Sequence, residues 1–397
     1  LLLLLAPAAA AAAVDESLGP NAFTRWVWTP SGDMEEADQS YAFGRDMGVH
    51  FAESIHARIM SNTFITDTLA PAFTGAGAPQ GDVYESLLAA NNATYPAYML
   101  ELVGIADGAA VAFPYVFLSQ LMEEFTYFLP KSGRAFLKTP EHCSDLTWIT
   151  ADSKNTYLAH NEDSGAGDLN HTALISAPMG VAGGPAFTAF TYLGNTPTGA
   201  FGWNAQRLLF TMNYVAPATA DPNGLGRVFM ARDLLEMTSL QNGLERITRI
   251  SPGISAGHNY QLVDFNSGEL LNVEVAAFGR SSVRAQLPGR PAYFHANTYQ
   301  TLSVRGQIGS NSSTHRDARA KVLLASHPIQ NGEKDMLAVI GDQGDHSYPI
   351  YHDNLSHERG DQSDWTLGSI FVDASEGTVW VWNTNPSTTM PMYKIKI

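Results

Sequence analysis

One change of texture divides this sequence and limits what it can fold into. Up to about residue 130 the apolar residues recur at helical spacing, and beyond residue 143 they recur at the two-residue period of strands. Phe43, Met47, Phe51, Ile55 and Ile59 mark one face of a helix over about 40–61. A loop rich in Gly, Ala and Pro follows at about 70–82. Further helices are expected over about 95–107, ending at Gly108, and over 115–128, stopped by Pro130. Residues 15–40, polar with Gly, Pro and Asp, read as a mobile lead-in. After a polar stretch at 131–141, Leu146, Trp148 and Thr150 lie on one strand face, and a turn at 152–155 leads into a second strand at 157–160. Strands are expected near 171–177, 186–193, 207–215, 259–264, 269–275, 369–373 and 378–382. Helices are expected over 227–250, with Leu234, Leu235 and Met237 inward, and over 316–325. Helices, strands, helices and strands in that order predict stacked layers, a pair of sheets between helices.

The chain has 397 residues, 45% of them hydrophobic and 16% charged, enough apolar material for a large core. Its 39 acidic and 23 basic residues give a net charge of −16. That field repels phosphate backbones and anionic membranes, so nucleic acid is not an expected partner. Residues 1–13 are Leu and Ala broken only by Pro7, too short to span a bilayer, and read as the end of a secretory signal. Sequons at Asn92, Asn170, Asn311 and Asn354 fit a glycosylated chain on a secretory route, extracellular or in a lysosome-like compartment. The expected division is a leader at 1–14, a helical segment at 15–142 and a catalytic segment at 143–397.

The sequence has one cysteine, Cys143, at the change of texture, which excludes an internal disulfide and any Cys-rich metal site. A buried inert thiol and a reactive one both remain open on that count. A papain-type site requires a helix and an aromatic signature after the cysteine, whereas Ser144-Asp145-Leu146 reads as strand. A redox motif requires a second cysteine. The remaining thiol chemistry puts Cys143 at a new chain start, where its own α-amine acts as base. An α-amine titrates near 8 and a thiol near 8.5, close enough for proton transfer at neutral pH. That amine exists only after the His142–Cys143 bond is cut, and the thiol can make the cut by attacking the His142 carbonyl. His142, His160 and His295 lack the spacing of a helical zinc site, so no metal is expected, and no cofactor either. His346 and His352, near Asp345 and Asp353, read as loop chemistry.

Several segments in order resemble the acyl-coenzyme A:6-aminopenicillanic-acid acyltransferase family, the peptidase C45 group of N-terminal-nucleophile (Ntn) hydrolases. They are Glu101-Leu102-Val103-Gly104-Ile105-Ala106-Asp107-Gly108-Ala109, Cys143-Ser144, His160-Asn161-Glu162-Asp163 and Gly202-Trp203-Asn204. Further on come Arg232-Asp233-Leu234-Leu235-Glu236, His295-Ala296-Asn297, and Ser312-Ser313 with Arg316 and Arg319. The resemblance implies an α+β fold, the four-layer αββα Ntn-hydrolase sandwich. It implies Cys143 as nucleophile, Asp163 holding its amine or thiol, Asn297 as oxyanion donor, Asn204 as a second donor, and Arg316 rather than Arg319 ordering the site. The implied substrate is a small N-acyl amine, such as a β-alanyl conjugate, with acyl transfer to an amine as the alternative to hydrolysis. The two pieces would stay associated after the cut. An uncut binding protein is the non-enzymatic alternative. Two departures stand out: His142 precedes the nucleophile where relatives often carry Gly, and Tyr299 stands where the family motif around Asn297 has a second His.

Overall fold

The computed structural model describes residues 21–30, 35–131, 133 and 143–397. The proposed leader and His142 lie outside the described residues. Before Cys143 come β1 (Thr24–Val27), α1 (Glu36–His50), α2 (Ala52–Met60), α3 (Ala70–Phe73), α4 (Gly81–Thr94), α5 (Pro96–Ala109), α6 (Phe113–Gln120) and α7 (Met122–Thr126). After it come β2 (Ser144–Ile149), β3 (Thr156–Ser164), β4 (Thr172–Ala177), β5 (Phe187–Tyr192), β6 (Phe201–Asn204), β7 (Leu208–Tyr214), α8 (Arg227–Leu234) and α9 (Leu240–Ile247). The chain continues through β8 (Gly257–Asp264), β9 (Leu270–Ala276), β10 (Arg280–Ala285), β11 (Tyr293–His295), α10 (Asn311–Ser326), α11 (Gly332–Ile340) and α12 (Asn354–Glu358). It closes with β12 (Trp365–Asp373), β13 (Thr378–Trp382) and β14 (Tyr393–Lys396).

The strands form two sheets, ordered β1-β4-β5-β6-β7-β8-β9-β10 and β11-β2-β3-β12-β13-β14. Three apolar cores separate four layers. The largest joins α1–α9 to one face of the eight-stranded sheet, through Ile175, Phe210, Met212, Leu262 and Val273 among others. A second fills part of the space between the sheets, from Leu209, Val263 and Leu270 on one side to Leu158, Leu367 and Val379 on the other. The third packs α10 and α11 against Leu146, Ala159 and Phe371 of the six-stranded sheet. This is the expected α+β, αββα sandwich. The segments on either side of Cys143 share one core, so the sequence boundary is not a boundary between separately packed bodies.

The lead-in at 15–40 is partly regular structure, which corrects the sequence reading: β1 pairs in parallel with β4. Its four residues lie on a sheet edge and three of them are exposed, so no buried alternation marks them. The helix expected over 40–61 breaks at Phe51, whose backbone (φ −110°, ψ 20°) leaves the helical region while the apolar face continues into α2. The one at 115–128 breaks likewise at Leu121 (φ −118°), and the one at 227–250 divides before Ser239, which caps α9. The loop expected at 70–82 begins inside a helix, α3.

The motif on α5 has a packing explanation. A Cβ on Gly104 would lie 2.3 Å from the Tyr41 carbonyl oxygen, and one on Gly108 would lie 2.3 Å from that of Arg45. Reciprocally, a Cβ on Gly44 would meet the Glu101 carbonyl at 1.9 Å. The two helices therefore touch backbone to backbone, which only glycine permits. Glu101 turns the other way and receives Arg232 of α8 at 2.6 Å through Nη2 and at 3.0 Å through Nε, both side chains being buried. Arg232 also reaches Glu236 at 3.2 Å, so both motifs describe one ion-pair cluster that fastens the helical layer.

Gly104→Ala should therefore destabilise the protein by at least about 1–3 kcal/mol in urea unfolding, the usual range for overpacking. Gly81→Ala, where the nearest outside atom is the Ala78 Cβ at 3.9 Å, should be close to neutral. Similar losses in both variants would contradict the close crossing.

Candidate active site

The site is generated by two adjacent antiparallel strands. β2 and β3 pair with Ser144 opposite Asn161 and Asp145 opposite His160. Alternation then divides their side chains. Cys143, Asp145, His160 and Glu162 face the other sheet, while Ser144, Asn161 and Asp163 face α10 and α11. The inter-sheet space changes character along the strands. Leu209, Val263 and Leu270 occupy its apolar half, whereas Thr211, Asn213, Asn259, Gln261, Asn272 and Glu274, further along the same faces, make the other half polar. Cys143 sits in the polar half, 2% exposed.

On the inward face the Cys143 thiol donates to Glu162 Oε2 at 3.5 Å. The same oxygen lies 3.1 Å from His160 Nε2, and Tyr192 donates its hydroxyl to Oε1 at 2.5 Å. His160 Nδ1 stands 2.9 Å from Asp145 Oδ1. Asp145 in turn receives Thr211 Oγ1 and Asn213 Nδ2, each at 2.8 Å, from the opposite sheet. Burial opposes a charge on His160, but its two carboxylate neighbours overcome that and raise its pKa to about 9. Both ring nitrogens then carry protons. Cys143, His160 and Glu162 bring ligand atoms within 4.8 Å of one another.

On the other face, Ser310 caps α10 by accepting from the Ser313 amide, which directs Arg316 inward. The Arg316 guanidinium is fully buried. Its Nη1 donates to the Cys143 carbonyl at 2.8 Å and to Ser144 Oγ at 2.7 Å, and its Nη2 donates to Asn297 Oδ1 at 2.7 Å. Asn297 Nδ2 donates to the Tyr214 carbonyl at 2.9 Å. The loop carrying Asn297 is held by Glu274, which takes His295 Nε2 at 2.9 Å and the backbone amides of Gln300, Thr301 and Leu302. Although burial works against its ionisation, His295 and those amides bring Glu274 to about 2.

Asp163 is buried on this face; its carboxylate oxygens make no hydrogen bond of ordinary geometry among the described residues, although the Thr366 side chain stands close enough to help hold the carboxylate ionised. Burial raises its pKa, and the charges of His352 and Arg316 oppose that rise. His352 Nε2 is 3.8 Å from Asp163 Oδ2, and its Nδ1 is 2.8 Å from Asp361 Oδ2.

Of the residues expected from sequence, the fold brings Cys143, Arg316, Asn297 and Asp163 together. It divides the expected role of Asp163: the thiol is held by Glu162 and lies 3.9 Å from the Asp163 backbone carbonyl, while the Asp163 carboxylate is on the opposite face. Asn204 is not at the site. Its Nδ2 donates to the Leu235 and Met237 carbonyls at 3.0 and 2.8 Å, and its Oδ1 accepts from the Gln206 amide, so it locks the β6–β7 turn to the end of α8. The asparagine that does reach the nucleophile's strand is Asn213. Arg319 pairs with Asp342 and takes no part. His160, Glu162 and His352 were missed as site residues. Alternation along 160–163 was the available signal for the first two. His352 reaches Asp163 only through the loop ahead of α12, which no sequence period marks.

The raised His160 pKa sets a direction for stability with pH. A group whose folded pKa exceeds its ordinary 6.5 contributes fully below about 6.5, and that contribution is lost as pH rises through about 9. Unfolding free energy should fall by on the order of 3 kcal/mol across that window. His160→Gln should flatten the slope in pH-dependent urea unfolding; an unchanged slope would remove His160 as its cause.

The sequence model of the acyl-coenzyme A:6-aminopenicillanic acid acyl-transferase family matches residues 150–388, beginning just past Cys143. The beta-alanyl-dopamine/carcinine hydrolase of Drosophila melanogaster is 24% identical over 375 residues, covering 90% of this chain and 94% of that protein. Among solved structures, the Caenorhabditis elegans ortholog of N-acylethanolamine-hydrolyzing acid amidase is 12% identical, with TM-score 0.41, covering 59% of this chain and 93% of the other. A conjugated bile acid hydrolase from Clostridium perfringens is 15% identical, with TM-score 0.38, covering 60% and 88%. Its family match spans more than half of its length, and the chain thus belongs to the acyl-coenzyme A:6-aminopenicillanic acid acyl-transferase family, enzymes of the Cys-dependent Ntn class that act on amide bonds.

Proposed function

We propose that the chain cuts itself ahead of Cys143 and then hydrolyses a small N-acyl amine, of the β-alanyl amine class, through a thioester on that cysteine. The observation that carries this reading is the convergence on Cys143. Its thiol faces the inter-sheet space, its carbonyl is fixed by the buried Arg316, and Asn297 is bound to the same guanidinium. Asp163, whose carboxylate oxygens make no hydrogen bond of ordinary geometry among the described residues, supplies an acceptor for the ammonium that a cut would create. In the continuous chain the thiol is 2% exposed, which suits a precursor that substrate does not enter.

In the cut enzyme the α-amine of Cys143 takes the thiol proton, and the thiolate attacks the substrate carbonyl carbon. Asn297 Nδ2 offers a hydrogen to the oxyanion. The tetrahedral adduct collapses with loss of the amine, which takes the proton from the α-ammonium. Water, giving a proton to the same amine, then opens the thioester and releases the acid. An amine in place of water would give transfer. The hydrolytic branch is supported by the relative that matches over most of both chains.

The pieces would remain together, since β1 is hydrogen-bonded to β4 and α1–α7 share a core with the eight-stranded sheet. We assign the chain to the secretory route. Asn92, Asn170 and Asn311 are exposed and available to glycosylation, and among the described residues no helix is long and apolar enough to cross a membrane.

Denaturing mass analysis should find a cut between residues 142 and 143 of the 397-residue chain, with both pieces co-eluting under native conditions. Cys143→Ala should remain whole and inactive on β-alanyl amines; turnover by that variant, or by an uncut wild-type chain, would defeat the mechanism. Asn297→Ala should lower kcat by about 100- to 1,000-fold, the usual loss for one oxyanion donor.

A further inference from the structure

Two buried groups beside the site, His352 and Asp361, take no part in the reaction proposed above. His352 lies on the loop ahead of α12, and Asp361 lies on the segment after that helix. Asp361 accepts Ser356 Oγ and the Ser363 amide, each at 2.8 Å. Burial works against its charge, but His352, Ser356 and the Ser363 amide outweigh burial and hold its pKa below the ordinary value. A carboxylate only accepts hydrogen bonds, so the 2.8 Å contact with His352 Nδ1 fixes a hydrogen on that nitrogen. The other nitrogen, Nε2, makes no hydrogen bond among the described residues and stands 3.8 Å from Asp163 Oδ2. That separation is outside hydrogen-bond range and within that of an ion pair. Thr366 ties the two groups together. It pairs with Asp163 between β12 and β3, its Oγ1 accepts the His352 amide at 3.0 Å, and its side chain helps hold the Asp163 carboxylate.

A neutral ring would set a lone pair beside the Asp163 carboxylate, whereas an imidazolium sets a positive charge there. Asp163 requires such a charge, because burial raises its pKa. The other cations acting on it are engaged elsewhere. Arg316 of α10 binds the Cys143 carbonyl, Ser144 and Asn297, and His160 of its own strand lies between Asp145 and Glu162 on the opposite face. Tyr351 stays neutral, since burial pushes its pKa well up. Asp353, next to His352 in the chain, accepts Gln343 Nε2 at 2.7 Å and the Ser356 amide at 2.9 Å. A protonated Asp163 would be a poor acceptor for a new ammonium.

We propose that His352, anchored by Asp361, is a positioning residue: as an imidazolium it keeps Asp163 a carboxylate, ready to receive the ammonium of Cys143. This rests on the cut and the chain-start chemistry proposed above.

The test compares cut wild-type and His352→Gln enzymes on β-alanyl 4-nitroanilide across pH. Glutamine carries no charge, so the Asp163 pKa should rise in the variant. The deficit in kcat should then be largest in acid and close as pH rises through that pKa. The wild-type to variant ratio should exceed about 10-fold near pH 5 and fall below about 3-fold near pH 8. A merely structural loss would leave the ratio constant. A cavity of about 260 Å³ adjoins His352 between Tyr351, Trp365 and Thr366. In His352→Ala, imidazole should therefore restore turnover, while pyrazole, a ring of the same size that stays neutral, should not. Should these variants fail to mature, the uncut Cys143→Ala chain gives a second measurement. In carboxyl-carbon NMR its Asp163 midpoint should rise by at least about one pH unit when His352→Gln is added. A ratio independent of pH, equal rescue by both rings, or an unmoved Asp163 midpoint overturns the role of His352 and leaves the amidase reading standing. Failure of a properly cut wild-type chain to turn over the anilide counts against the amidase reading, and the NMR midpoint then decides the role of His352.

Discussion

A guanidinium with no solvent contact holds this site together. Arg316, near the start of α10, joins the first residues of the nucleophile strand, distant in sequence, to the Asn297 loop. Burying such a charge is costly, and the cost is offset only when its donors are matched and an opposite charge is near. Burial pulls the Arg316 pKa down while Asp163 resists that fall. Removing one member of a buried set of this kind commonly costs about 3–5 kcal/mol, because the survivor is left uncompensated. The same bonds fix the Cys143 carbonyl and Asn297 relative to each other, so what stabilises the junction also orders the reacting groups.

The two faces of β2 and β3 divide the chemistry. The face toward the helices carries Ser144 and Asp163 and meets Arg316 of α10, suited to holding backbone and a new chain terminus. The face toward the other sheet carries the thiol with Glu162, His160 and Asp145, suited to meeting substrate. A one-residue slip between these strands would exchange Glu162 for Asp163 and bring the wrong carboxylate to the sulfur. The register is guarded from both sides. Asn161 Nδ2 donates to the Ile340 and Ile350 carbonyls at 2.9 Å, and Asp145 is bonded to Thr211 and Asn213 across the inter-sheet space.

Much of this was legible in the sequence where period and chemistry agreed. The layer order followed from the switch between helical and strand spacing. Cys143, Asp163, Asn297 and Arg316 were identifiable from motif order, and the fold brings them together. Asn204 was misplaced because Gly-Trp-Asn at a strand end also makes a turn anchor, and the segment just after α8 supplies two carbonyls for its amide. Nothing local distinguishes these outcomes: the deciding partners, Leu235 and Met237, are more than thirty residues away. β1 was hidden for a different reason. An edge strand that buries little side-chain surface has no alternation to read, and its pairing with β4 is satisfied by backbone groups.

Two motifs that carry the family resemblance, those on α5 and α8, describe how the helical layer is fastened. Glu101 and Arg232 form a buried pair, with the guanidinium 4.6 Å from the Tyr98 ring centroid and 4.8 Å from that of Phe187 on β5. The glycines beside Glu101 let α1 approach closely enough to cover that pair. If the chain is cut ahead of Cys143, this cluster acquires a second role. Glu101 lies on the preceding piece and Arg232 on the following one, so the ion pair bridges the two. Separating the pieces would expose two unpaired charges along with the apolar surface around them, and the site depends on that separation not occurring. The Asn297 loop hangs from Tyr214 at the end of β7, a strand whose far face is packed by those same helices.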